Sequence, residues 1–119
     1  MKTSLDFDGC LGDVEQIQKL AAILLKGTSP DHLFILTARF VDHHNYVVYE
    51  LAERLGIKKE NVLICDGRPK TQLIKEHGIE LHFDDDVHEV DAINERPELG
   101  CLGVLINFKL MEVLNNNRI

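Results

Sequence analysis

Asp6 and Asp8 stand one residue apart in Leu5-Asp6-Phe7-Asp8-Gly9-Cys10, close to the start of the chain. In an extended backbone, side chains two residues apart point to the same face. Two carboxylates held that close repel each other, and a bound cation removes the repulsion. Asp-x-Asp at the end of a strand is therefore a divalent-metal signal. The same four letters in an exposed turn need no function, because Asp and Gly are ordinary turn residues. What the pair does depends on what the rest of the chain brings to it.

The elements that must do so alternate along the chain. Residues 2–6 read as a short strand, polar for one that would lie centrally. Val14, Ile17, Leu20, Ala21, Leu24 and Leu25 recur at helical spacing, predicting a helix from Asp13, its N-cap, to about Lys26, closed by Gly27. Leu33-Phe34-Ile35-Leu36 is a continuous apolar run, as in a parallel strand covered on both faces, and it leads into Thr37-Ala38-Arg39. A loop rich in His and Asp and a helix from Asn45 to Leu55 follow, stopped by Gly56. Strands are expected at Val62–Cys65, Ile79–Phe83 and Gly103–Ile106. Helices are expected at Lys70–Glu76, behind Pro69 and ended by Gly78, at Val87–Asn94, and in the tail at Phe108–Leu114, before a frayed Asn115–Asn117. This alternation predicts one α/β domain over residues 1–119. It would be a Rossmann-like parallel sheet of about five strands with helices on both faces, binding ligands beyond the carboxyl ends of the strands.

That edge would gather Asp6 and Asp8 from strand one, Thr37 from strand two, Asp84 and Asp85 from strand four, and Lys70 from the start of a helix. The set suits phosphoryl transfer. A phosphate dianion and a carboxylate nucleophile repel, and Mg²⁺, which prefers oxygen ligands, allows them to meet. Asp6 can attack phosphorus, while Asp8 can protonate the leaving oxygen and then activate water. Thr37 can donate to a phosphate oxygen, with Ala38 and Arg39 beside it. Lys70 can neutralise developing charge, and Asp84 with Asp85 can complete the metal shell.

DFDGC, LFILTAR, the helix-opening Lys70 and LHFDDD resemble, in order, motifs one to four of the haloacid dehalogenase superfamily. The resemblance spans nearly the whole chain. It implies a Rossmann-like fold, with Asp6 as nucleophile, Asp8 as general acid/base and Thr37 as phosphate binder. It further implies Lys70 as the motif-three lysine, Asp84 and Asp85 as metal acids, and the Asp8 backbone carbonyl as another metal ligand. Dehalogenases of the superfamily lack the second acid of motif one, so Asp8 implies phosphatase chemistry. The intervals where family members carry a cap domain hold only core elements here, implying a capless member. Such an open site would take a large substrate, or be covered by a partner subunit in a homo-oligomer, or by a loop. Nucleotides, nucleic-acid ends and sugar phosphates all qualify as phosphorylated substrates.

Other residues keep more than one reading. Lys75 is a rival to Lys70 but lies a turn further on. Arg39 either contacts substrate or pairs with a surface acid. Asp86 reads as the N-cap of the next helix rather than a ligand. His43 and His44 fit a solvated loop near the site, and adjacent histidines converge poorly on one ion. His82 and His88 flank the acids and can tune local charge. Asp66, before Gly67, reads as a turn. It would be the phosphoacceptor only in a receiver-type domain, where the order of the acids differs. A phosphate-binding regulatory module without turnover is a further alternative.

The totals are those of a globular domain: 45% hydrophobic and 28% charged residues, with a net charge of −7. The acidity disfavours non-specific binding to nucleic acid. No apolar run reaches the roughly 20 residues that span a bilayer, and the first residues form no signal peptide. Cys10, Cys65 and Cys101 are far apart and odd in number, which predicts reduced thiols and a cytoplasmic location. Cys10, beside two carboxylates, would have a raised pKa and make a poor nucleophile.

Overall fold

Side chains along the second strand divide between two cores. Leu33 and Ile35 point into one, Phe34 and Leu36 into the other, and all four are buried. A continuous apolar run is what such a strand requires, because neither face meets water. The computed structural model describes residues 1–106. The strands are β1 (Thr3–Leu5), β2 (Leu33–Thr37), β3 (Val62–Ile64), β4 (Leu81–Asp84) and β5 (Leu102–Leu105). The helices are α1 (Glu15–Gly27), α2 (Tyr46–Leu55), α3 (Lys70–His77) and α4 (Val87–Asn94). The expected tail helix at 108–114 and the frayed asparagines lie outside the described residues.

All strand pairs are parallel, in the order β3-β2-β1-β4-β5. Ile17 and Ala21 of α1 and Val48, Leu51 and Ala52 of α2 pack with Leu5, Leu33 and Ile35 on one face. Leu73 and Ile74 of α3 and Ile93 of α4 pack with Phe34, Leu36 and Leu63 on the other. The fold is thus a Rossmann-like α/β sheet with helices on both faces. After β3 the chain returns past β1 to lay down β4, so the direction of strand addition reverses between β1 and β4. In open α/β sheets a crevice forms at that reversal, beyond the carboxyl ends of the strands. Among the described residues, no helix is long and apolar enough to cross a membrane.

Expectations are corrected at element ends. α1 starts at Glu15 rather than Asp13, because the Asp13 carboxylate is occupied elsewhere: it accepts from the Gly9 N–H at 2.6 Å. β4 starts at Leu81 rather than Ile79, because the Ile79 N–H closes α3 by donating to the Ile74 carbonyl around left-handed Gly78. β1 is polar yet central: Thr3 and Ser4 are buried with Leu5, and the reason lies in the site.

Candidate active site

Past β1 the chain makes one wide turn over Phe7–Leu11. Leu11 N–H donates to the Asp6 carbonyl (3.0 Å) and Gly12 N–H to the Phe7 carbonyl (2.8 Å). Gly9 takes φ +71°, a conformation that costs an ordinary L-residue roughly 1–2 kcal/mol. A side chain there would also collide with the Asp85 carboxylate. The glycine therefore lets the acid loop lie directly against the end of β4.

Strand alternation then aligns the polar groups. Ser4 and His82 are register partners on adjacent strands. Asp6 lies two residues beyond Ser4, and Asp84 two beyond His82. Lys70, the first residue of α3, covers them. Its Nζ donates to Asp6 Oδ1 and to Asp84 Oδ2, both at 2.7 Å. All three groups are buried. Burial alone would push the Lys70 ammonium down, but Asp6 and Asp84 outweigh it and hold the pKa above its usual range. For Asp84, burial pushes upward but loses to hydrogen bonds from His82 and Lys70, leaving it near 2. For Asp6, burial prevails over Lys70, and the neighbouring Asp84 charge adds to it, so its pKa rises to about 8. One lysine thus serves two buried acids.

The rim is built differently. Asp8 is exposed and receives a two-point contact from Arg39, Nε to Oδ2 at 2.9 Å and Nη2 to Oδ1 at 2.7 Å. Arg39 Nη1 donates to the His44 carbonyl, and the guanidinium lies 5.1 Å from the centre of the Phe7 ring. The Arg39 hydrogen bond, opposed by burial, leads the influences that lower the pKa of Asp8. Arg39 therefore pairs with an acid of the site itself, not with a remote surface acid.

Thr37 is fully buried at the end of β2, and its Oγ1 accepts a long 3.4 Å bond from the Arg39 N–H. Ala38 next to it is exposed. Lys75 is exposed on α3, whereas Lys70 is the one held against Asp6 and Asp84. Asp86 caps α4 through the His88 N–H, as expected. Asp66 accepts from the Val41 N–H and so holds the loop after β2. His43 packs its ring on Phe40, outside the acid cluster. Cys10 is buried, and burial first, then the nearby acids, push its thiol up to about 12, away from the range of a reactive thiolate.

The donor set fits a hard divalent cation. Asp6, Asp84 and Asp85 each offer a carboxylate oxygen, all within 4.8 Å of one another. An all-oxygen site that leaves room for water is what Mg²⁺ requires. Asp84 Oδ2 is already engaged by Lys70 and His82, whereas among the described residues Oδ1 accepts only the Asp86 N–H at 3.0 Å, so Oδ1 is the oxygen with more spare capacity there.

Ser4 was not expected as a site residue, and His82 only as a neighbour tuning the charge of the acids. Ser4 Oγ lies 2.6 Å from His82 Nδ1, and His82 Nε2 lies 2.7 Å from Asp84 Oδ2. The signal was present as Ser4-x-Asp6 and His82-x-Asp84, two polar pairs at strand spacing.

The sequence matches no protein-family model and no curated protein. Among solved structures, the fold is similar to that of an uncharacterized protein from Corynebacterium glutamicum ATCC 13032 Kitasato. That likeness has a TM-score of 0.62 at 16% identity and covers 97% of this chain and 90% of that one. At such identity it speaks for the fold alone.

Proposed function

We propose that this chain is a Mg²⁺-dependent phosphomonoester hydrolase of the haloacid dehalogenase type, without a cap domain, acting through a phospho-Asp6 intermediate. The observation that carries the reading is the Lys70 ammonium shared by Asp6 and Asp84 at the point where strand order reverses, with Asp8 on the same loop. Bound Mg²⁺ would neutralise both phosphate and carboxylate charge there, which the raised Asp6 calls for. Asp6, Asp84 and Asp85 would hold the ion. Lys70 fixes Asp6 Oδ1, leaving Oδ2 to attack phosphorus. Thr37 and the chain through Ala38 supply donors to the phosphate oxygens. Asp8 has two tasks, to protonate the leaving oxygen and then to draw a proton from water. Its Arg39-bound form is the base, suited to the second task. For the first, Arg39 must turn from Asp8 toward the substrate. The odd, widely spaced thiols fit a reducing, cytoplasmic setting.

A panel of phosphomonoesters with Mg²⁺ tests the proposal. Hydrolysis abolished by EDTA and by Asp6→Asn is expected. Full activity in Asp6→Asn would refute the assigned nucleophile. A second reading, a phosphate-binding module without turnover, draws on the same Arg39–Asp8 clamp, which holds the proton shuttle as a carboxylate. Binding of a phosphate analogue with no hydrolysis across the panel would select it.

A further inference from the structure

Two residues deep in the sheet are polar where the fold would accept apolar ones. Ser4 sits on the central strand and His82 on its neighbour, both fully buried, on the face covered by α3 and α4. Burying a hydroxyl and an imidazole without partners costs several kcal/mol in order of magnitude. Here each has one, and the bonds form a single chain: Ser4 Oγ to His82 Nδ1, His82 Nε2 to Asp84 Oδ2, Asp84 Oδ2 to Lys70 Nζ, Lys70 Nζ to Asp6 Oδ1.

The directions of these bonds follow from the donors available. A carboxylate only accepts, so His82 Nε2 must carry the hydrogen. Nδ1 faces the Ser4 hydroxyl at 2.6 Å, and with the hydrogen on Nε2 the neutral tautomer offers a lone pair there for that hydroxyl to donate to. The ring is locked in one tautomer and one orientation. With Lys70 it takes up Oδ2 of Asp84, and that carboxylate cannot rotate without breaking two bonds at 2.7 Å. The carboxylate so held belongs with Asp6 and Asp85 to the cluster whose oxygens lie within 4.8 Å of one another.

We propose that His82, oriented by Ser4, is a positioning residue that presets the Asp84 carboxylate for cation binding at the Asp6–Asp84–Asp85 cluster. The inference rests on the reading of that cluster as a cation site and does not depend on hydrolysis. Outer partners of metal ligands commonly contribute about 10–100-fold in affinity.

The test measures Mn²⁺ binding to the full chain by electron paramagnetic resonance or calorimetry, and the His82 tautomer by nitrogen-15 NMR. Wild type should show hydrogen on Nε2. His82→Phe keeps the ring volume without donors and should weaken Mn²⁺ by about tenfold or more. His82→Gln, whose amide can donate to Asp84, should recover part of that loss, which a merely space-filling role would not predict. Ser4→Ala removes only the hydroxyl and covers the case in which His82→Phe fails to fold; it should weaken Mn²⁺ in the same direction. Wild-type affinity in both Ser4→Ala and His82→Phe, in Ser4→Ala alone where His82→Phe does not fold, or a ring whose hydrogen sits on Nδ1 with Nε2 bare, would overturn the inference. So would a wild type that binds no Mn²⁺, and that result would also remove the metal from the proposed function. His82-dependent Mn²⁺ binding without hydrolysis of any phosphomonoester would sustain the inference and sink only the activity.

Discussion

Two cation–acid pairs meet at the same strand ends, and they are opposites. Lys70 is buried between Asp6 and Asp84, in line with His82 and Ser4. Arg39 is half-buried and clasps Asp8 at the rim, its other contacts being a loop carbonyl and the face of Phe7. The inner pair belongs to regular elements: Lys70 starts α3 and Asp84 ends β4. The outer pair belongs to connections and can rearrange without disturbing the sheet. A buried charge stripped of its partner cannot be rehydrated, whereas an exposed one can. The inner pair is therefore a fixed frame for charge, and the outer pair is the movable part of the site.

The largest break in this comparison is Lys70→Met. It leaves two buried acids facing each other with no cation, and breaking a buried pair costs about 3–5 kcal/mol. Chemical denaturation in EDTA should show a loss of that order, with Mg²⁺ restoring part of it. A loss below about 1 kcal/mol would put Lys70 with the surface pairs. Next comes a pH effect in metal-free protein. Folded Asp6 keeps its proton up to about pH 8, and unfolded Asp6 releases it near the ordinary 3.8. The folded state then binds more protons across that window, so stability falls as pH rises through it, by at most about 1.4 kcal/mol per pH unit. Asp84, with its lowered pKa, contributes the opposite slope, lost only as pH falls from its ordinary 3.8 toward about 2. Denaturation midpoints at several pH values in EDTA would show the decline. Asp6→Asn should flatten it, and an equal slope in that variant would assign it to another group.

How legible these two pairs were in the sequence follows from the same contrast. The inner pair could be placed because strand and helix ends locate it: an apolar run fixes where β2 ends, Gly78 where α3 ends, and alternation puts Asp6 and Asp84 on one face. Lys70 was preferable to Lys75 for that reason alone. The polar β1 counted against a central strand, because hydropathy does not reveal that Ser4 has His82 for a partner 78 residues away. Nor could the Arg39–Asp8 clamp be read. It spans two loops, 31 residues apart, and loop side chains follow no period that marks which of them meet. Asp13 misled for a related reason: a carboxylate before a helix looks like an N-cap, and only the fold of the acid loop gives it the Gly9 N–H instead.

Gly9 joins the two regions, lying between Asp8 and the buried acids. Gly9→Ala meets a left-handed φ and the Asp85 carboxylate at once. The backbone term is roughly 1–2 kcal/mol. Asp85 is exposed and can swing aside, so the clash itself should add little to the loss of stability. Its consequence should fall on the cation site, where Asp85 is one of three ligand candidates. Thermal unfolding together with Mn²⁺ titration separates the two effects: a modest drop in midpoint with a larger loss of Mn²⁺ affinity is expected. Unchanged affinity would show that Asp85 is dispensable.

The smallest effect on stability should come from Arg39→Gln. The pair it breaks is solvent-accessible, and such pairs contribute about 0–1 kcal/mol. The fold should therefore survive almost unaltered, in contrast to Lys70→Met, and the change should appear in the chemistry of Asp8. The guanidinium hydrogen bond is the largest influence holding that carboxyl below its ordinary value. Without it, the Asp8 pKa should rise, and if Asp8 works as a base in the slow step, the acid limb of the pH–rate profile should move to higher pH. A double-mutant cycle with Asp8→Asn adds a control, since Arg39→Gln should have no further effect on that limb once the carboxylate is gone. A large loss of stability in Arg39→Gln would mean that the rim is as fixed as the frame, and that Arg39 has no freedom to leave Asp8 for a substrate.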